Sequence, residues 1–67
     1  MKNCIYPNLR AEQARLGLTN QNVANALGMS RGAYENKAQT GKFTVEDCRK
    51  LCAMFGNVGF SYLFARE

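Results

Sequence analysis

Apolar residues recur along this chain at helical intervals, in short runs cut by proline, glycine or a capping hydroxyl. The most informative run is residues 18–38, LTNQNVANALGMSRGAYENKA. Its apolar positions are Val23, Ala24, Leu27, Met29 and Tyr34, with Gly28 among them. They keep helical spacing on each side of Gly28 but change phase at it. One continuous helix cannot carry both sets on one side, whereas two helices crossing at a steep angle can. The pattern predicts a helix-turn-helix over about residues 19–38.

The flanking runs supply three more helices. Pro7 suits a first helical position, because its missing N–H has no intrahelical partner there. Residues 7–16 are strong helix formers, with Leu9, Gln13 and Leu16 on one stripe and Gly17 as the stop. Thr19 caps the second helix, whose buried face is Val23, Ala24 and Leu27. Ala24 is small where a crossing helix must come close. Gly28 ends that helix, Met29 plugs the turn into the core, and Ser30 caps a third helix running to about Ala38. Gly41 and Lys42 mark a loop. Thr44, with Asp47 three residues on, makes an approximate capping box for a fourth helix. Val45, Cys48, Leu51, Cys52 and Phe55 form its apolar stripe, while Glu46, Arg49 and Lys50 face water. Glu46 and Asp47 also suit the positive end of the helix dipole. Gly56, Asn57 and Gly59 break the chain, and residues 60–64 form a short fifth helix. No segment alternates long enough for a strand, and no internal repeat occurs. The expected fold is all-α.

Sixty-seven residues hold a single domain of marginal stability, and 46% apolar content is enough for a core without metal or disulfide staples. Nine Lys and Arg against five Asp and Glu leave a net charge of +4, which favours a polyanionic partner. The three cysteines, Cys4, Cys48 and Cys52, are an odd number, and there is no histidine. A full disulfide framework is therefore not expected. Cys48 and Cys52, one turn apart, read as buried thiols in a reducing cytosol rather than as a metal site, which needs more ligands. No cofactor or small-molecule ligand is implied. Without an imidazole, a carboxylate pair or a nucleophile motif at useful spacing, an enzyme is not expected. The N-terminal stretch MKNCIYP lacks the apolar run of a signal peptide, and no segment is long enough to span a membrane. The expected location is the bacterial cytoplasm or nucleoid.

Taken in order, these residues resemble the Cro/C1-type (XRE) helix-turn-helix family of phage and bacterial repressors. The resemblance covers residues 8–64. It rests on Asn8-Leu9-Arg10-Ala11-Glu12, Gly17-Leu18-Thr19, Val23-Ala24, Leu27-Gly28-Met29-Ser30-Arg31 and Asn36-Lys37 after Tyr34. Phe55-Gly56 and Tyr62-Leu63-Phe64 fit near the end. It implies a compact five-helix domain of the lambda-repressor type, DNA binding, and a homodimer on a near-palindromic operator. The chain departs from the family at three points. Many members carry an arginine at the place of Gln13 and a glutamate at the place of Ala38, paired inside the domain; here both charges are absent, which avoids a stranded buried charge. Gly32 stands inside the third helix, at a cost of about 1 kcal/mol relative to alanine, and offers no side chain where relatives read bases. Asn20 replaces a frequent glutamine, shortening the reach toward phosphate and the third helix.

In that setting Arg31, Gly32, Glu35 and Asn36, opposite Tyr34 and Ala38, form the candidate base-reading face, which on any other helix would be a solvated polar surface. Arg31 can bond guanine O6 and N7, Asn36 adenine N6 and N7, and Glu35 can accept from cytosine N4 or simply balance Arg31. Thr19, Asn20, Gln21 and Ser30 stand at helix N-termini, where phosphate is favoured beside their capping role. Lys37 and Lys42 are placed to neutralise the DNA backbone. Tyr34 reads as core. Phe60, Tyr62 and Phe64 are more aromatics than so small a core needs, and are candidates for a dimer interface, the alternative being that they close the monomer core. The leading function is a small transcriptional repressor or regulator on double-stranded DNA. The rival is a protein-interaction module on the same fold, an antitoxin or antirepressor, since fold alone does not separate the two.

Overall fold

Each of the longer helices starts where the sequence supplies a proline or a capping oxygen. Residues 4–66 are described by the computed structural model; residues 1–3, part of the N-terminal stretch considered above for a leader, and Glu67 lie outside them. The order is α1 (Pro7–Arg15), α2 (Asn20–Leu27), α3 (Arg31–Thr40), α4 (Val45–Met54) and α5 (Phe60–Leu63), with no strand among the described residues. Pro7 opens α1. Thr19 caps α2 by accepting the Asn22 N–H at 3.0 Å, and the Asn22 side chain returns a bond to the Thr19 N–H, completing a capping box. Ser30 Oγ accepts the Ala33 N–H at 3.1 Å to start α3. Thr44 and Asp47 cap α4 reciprocally, as their spacing predicts.

Gly28 closes α2 at φ 74°, a left-handed conformation that a side chain resists. The chain then turns through Met29 and Ser30 straight into α3. Met29 is partly buried against the core, and α2 packs more closely on α3 than on any other helix. Leu9 of α1, Val23, Ala24 and Leu27 of α2, Tyr34 of α3, Leu51 and Phe55 from α4, and Leu63 of α5 meet in one buried cluster. Each of the larger side chains contributes about 1.5–3 kcal/mol by leaving water.

Three sequence expectations need correction. Val45 is 77% exposed although its angle around α4 matches Cys48 and Cys52. It occupies the first turn, beyond the helices that cover the rest of the stripe, and Asp47 is buried there instead. Leu16 is exposed because it is the C-cap of α1, where the backbone has left helical geometry. Helix α3 runs on to Thr40, two residues past Ala38, and ends on Gly41 at φ 77°.

The N-terminal arm was assigned no packing role in the sequence, yet it helps close the core. Ile5 N–H donates to the Ala38 carbonyl at 3.0 Å, satisfying an orphan acceptor near the end of α3. Tyr6 is buried, and its ring meets Phe64 edge-on with centroids 5.2 Å apart. Phe43, from the α3–α4 loop, lies about 6 Å from the rings of Tyr6, Tyr34 and Phe64, at 6.1, 6.0 and 5.9 Å. The turn at Gly41 passes so close under this arm that a Cβ there would stand 2.9 Å from Tyr6 Oη.

Candidate functional site

The exposed surface of α3 begins with Arg31 and Gly32, continues one turn on with Asn36, and is bordered by the half-buried Glu35. Gly32 opens onto empty space, with nothing within 4 Å of a Cβ built there. Tyr34 and Ala38, on the same helix, are fully buried. Together these residues present one cation, one amide, one carboxylate and a bare stretch of backbone.

What the sequence did not reveal is how this face is wired to the interior. Tyr34 Oη donates to Gln13 Oε1 at 2.8 Å. Gln13 Nε2 donates to Asn20 Oδ1 at 2.7 Å. Asn20 Nδ2 donates to Glu35 Oε2 at 2.9 Å, and Arg31 Nε donates to the same oxygen at 2.9 Å. Five side chains from α1, α2 and α3 therefore form one unbroken relay from the core to the surface. Gln13, standing where an ion-pair partner is frequent in the family it resembles, is bonded to a neutral phenol instead. Burial pushes the Tyr34 hydroxyl well above its ordinary pKa, so it stays a donor. The Glu35 carboxyl is held below its ordinary value by the bonds from Arg31 and Asn20, so it stays an acceptor. Asn20, though shorter in reach than a glutamine, bonds Glu35 of α3 directly.

The candidate phosphate ligands divide. Thr19 and Ser30 already serve as N-caps, at the two helix starts. Gln21 Nε2 bonds Asn25 Oδ1 at 2.8 Å along α2 and remains exposed. Lys42 is exposed in the loop after α3. Lys37 is engaged elsewhere: its Nζ lies 2.8 Å from Oδ2 of buried Asp47, tying α3 to the cap of α4. Burial pushes the Asp47 carboxyl up, but the bonds from Lys37 and Thr44 outweigh it and leave the group below its ordinary pKa. This pair is readable from sequence only by noticing that the N3 residue of a capping box and a lysine of the preceding helix share one junction.

No protein-family model, curated protein or solved structure matches the chain.

At the other end of the molecule the three aromatic candidates behave differently from one another. Phe60 is 61% exposed. Phe64 is half-buried and packs on Tyr6, Phe43 and Phe60. Tyr62 is exposed on one side but is tied down by both its polar groups: its hydroxyl donates to Glu12 Oε2 at 2.9 Å, and its carbonyl accepts from Asn8 Nδ2 at 2.8 Å. Between α4 and α5 lies an open recess of about 380 Å3, lined by Val45, Cys48, Arg49, Cys52, Val58 and Phe60 among others. Cys4, Cys48 and Cys52 are free thiols, all pushed above their ordinary pKa by burial. No cluster of three or more His, Cys, Asp or Glu able to hold a metal occurs among the described residues. Nor is any of their helices long and apolar enough to cross a membrane.

Proposed function

We propose that this chain is a small transcriptional regulator of the repressor type that binds double-stranded DNA sequence-specifically. In this reading α2 and α3 act as the helix-turn-helix of a lambda-repressor-like domain, and α3 lies in the major groove. Arg31 and Asn36 read base edges, while the backbone at Gly32 approaches the DNA closely. Thr19, Gln21, Ser30 and Lys42 meet phosphates, where helix N-termini and a loop cation are favourable. Two copies bind a near-palindromic operator, with Phe60 as the most exposed aromatic group available for pairing. The chain is a cytoplasmic binder and not an enzyme.

The observation that carries the reading is the exposed run of Arg31, Gly32 and Asn36 on a helix entered through a three-residue turn, on a protein of net charge +4. A groove-entering helix needs such a face, free of bulky apolar side chains and set at the N-terminal half. The test is binding to a random duplex pool at several salt concentrations. Affinity that falls steeply with salt, with recovered sequences sharing a half-site, supports the regulator. Arg31→Ala then relaxes preference at one base pair by about 1–3 kcal/mol. Lys42→Ala weakens all sequences alike and lowers the salt slope by about one. Sedimentation of the free protein as a monomer at high concentration counts against the dimer.

One observation favours a protein-interaction module, though through a surface other than the third-helix face: Val45 and Phe60 are exposed and line a largely apolar recess between α4 and α5. Salt-insensitive, negligible duplex binding would select that reading.

A further inference from the structure

We infer that Glu35 is a positioning residue for Arg31 rather than a reader of bases, and that Asn20 holds Glu35 in place for that purpose. The inference rests on the DNA-binding reading and adds to it the source of selectivity. One carboxylate oxygen, Glu35 Oε2, receives both Arg31 Nε and Asn20 Nδ2 at 2.9 Å. Behind Asn20 stand Gln13 and buried Tyr34, so the anchor of this bond lies in the core. The Glu35 side chain is only 24% exposed, whereas that of Arg31 is 64% exposed. The carboxylate side chain is thus the less exposed member of the pair.

The division of the guanidinium nitrogens is the point that matters. Arginine presents a rigid fork, and a bidentate bond to guanine O6 and N7 is made by N–H groups at one edge of it. The bond to Glu35 is made through Nε. A guanidinium held at Nε can still offer the N–H groups of its outer end, but it has lost most of its freedom to swing. Ordering a rotamer-rich side chain before binding removes a cost otherwise met on the DNA. It also denies Arg31 the alternative of straying to a phosphate, which would add affinity without selectivity. Glu35 for its part has one oxygen, Oε2, occupied by two donors, which reduces what it can accept from cytosine. Its negative charge near the DNA lowers the affinity for every sequence. The relay therefore trades general affinity for discrimination.

The experiment combines a DNA measurement with one that needs no DNA. Discrimination at each operator base pair is measured for the wild type, Arg31→Ala, Glu35→Ala, Asn20→Ala and the double variant Arg31→Ala/Glu35→Ala. Thermal unfolding of each variant confirms that it is folded. Arg31→Ala identifies the base pair that Arg31 reads. Glu35→Ala is expected to lose roughly 5- to 10-fold of discrimination at that same pair while tightening non-specific binding, and Asn20→Ala to lose less. In the Arg31→Ala background, Glu35→Ala should change discrimination nowhere. In the free protein, the Arg31 Nε–H resonance should exchange slowly with water in the wild type and fast in Glu35→Ala. Undiminished discrimination in Glu35→Ala would overturn the proposal while leaving the DNA reading intact. So would a loss at a different base pair that persists without Arg31, which would make Glu35 a reader after all. A wild type that binds duplexes without any sequence preference overturns both, whatever the resonance shows.

Discussion

The junction of α1, α2 and α3 is held by directional bonds, whereas the junction of the N-terminal arm, the α3–α4 loop and α5 is held by rings. In the first, four hydrogen bonds of 2.7–2.9 Å join Tyr34, Gln13, Asn20, Glu35 and Arg31 in a fixed order. In the second, Tyr6, Phe43, Phe60 and Phe64 pack with centroids 5.1–6.1 Å apart at mixed angles. The two junctions answer different needs. Ring packing gains from area and accepts several geometries, so it supplies stability. A polar relay adds little net stability but is costly to leave half made, so it fixes orientation. The chain has placed the polar relay directly behind the face proposed to read DNA.

This contrast can be broken by substitution. The largest effect belongs to the rings: Tyr6→Ala should cost about 3 kcal/mol, read as a fall in the denaturant midpoint, because it empties a buried site beside Phe43 and Phe64. In a domain this small that is most of its stability. Tyr34→Phe should cost about 1–2 kcal/mol, since Gln13 Oε1 loses its donor in a half-buried site. Adding Gln13→Leu should recover part of that loss, because it removes the acceptor left without a donor, at the cost of the bond from Gln13 Nε2 to Asn20; if the two costs simply add, the relay is not one unit.

Acid provides a third probe, directed at the bonds and not at the rings. Glu12, Glu35 and Asp47 all have pKa values lowered by folding, the last despite its burial. Below their ordinary values of 4.5, 4.5 and 3.8 the unfolded chain takes up protons that the folded chain refuses. Stability should therefore be full near neutral pH and fall as pH drops through this range, and Lys37→Met should flatten the Asp47 share of the fall. The smallest effect is expected at Val45→Ala, within about 0.5 kcal/mol in chemical denaturation, since its side chain is mostly in water. A larger cost there would mean that the apolar stripe of α4 is covered after all.

Much of the helix layout was legible because caps and stops are local. Thr19, Ser30, Thr44 and Gly28 declare helix boundaries through groups within three residues of themselves, and the phase break at Gly28 was visible without any neighbour. The exposed identities on α3 followed from the burial of Tyr34 and Ala38. What stayed hidden was non-local. Nothing near Gln13 announces that it will meet Tyr34, 21 residues away, or that Asn20 will reach Glu35, 15 residues on. Phe43 carried no local signal of its packing, because its ring partners come from the N-terminal arm, α3 and the end of α5. Val45 failed for a related reason: helical phase gives the direction of a side chain but not whether another element lies in that direction.

The bond from Asn8 to the Tyr62 carbonyl spans 54 residues, and the one from Tyr62 to Glu12 spans 50. Forming them closes a loop almost as long as the chain, with an entropy cost that must be met before any contact offsets it. The α2–α3 pair, by contrast, is local in sequence and can assemble early. Tyr62 and its neighbours should then belong to the last stage of folding. Replacing Tyr62 by Phe should chiefly hasten unfolding and leave the refolding rate nearly unchanged. The clasp between α1 and α5 would in that case set how long a folded molecule lasts, not how quickly it forms.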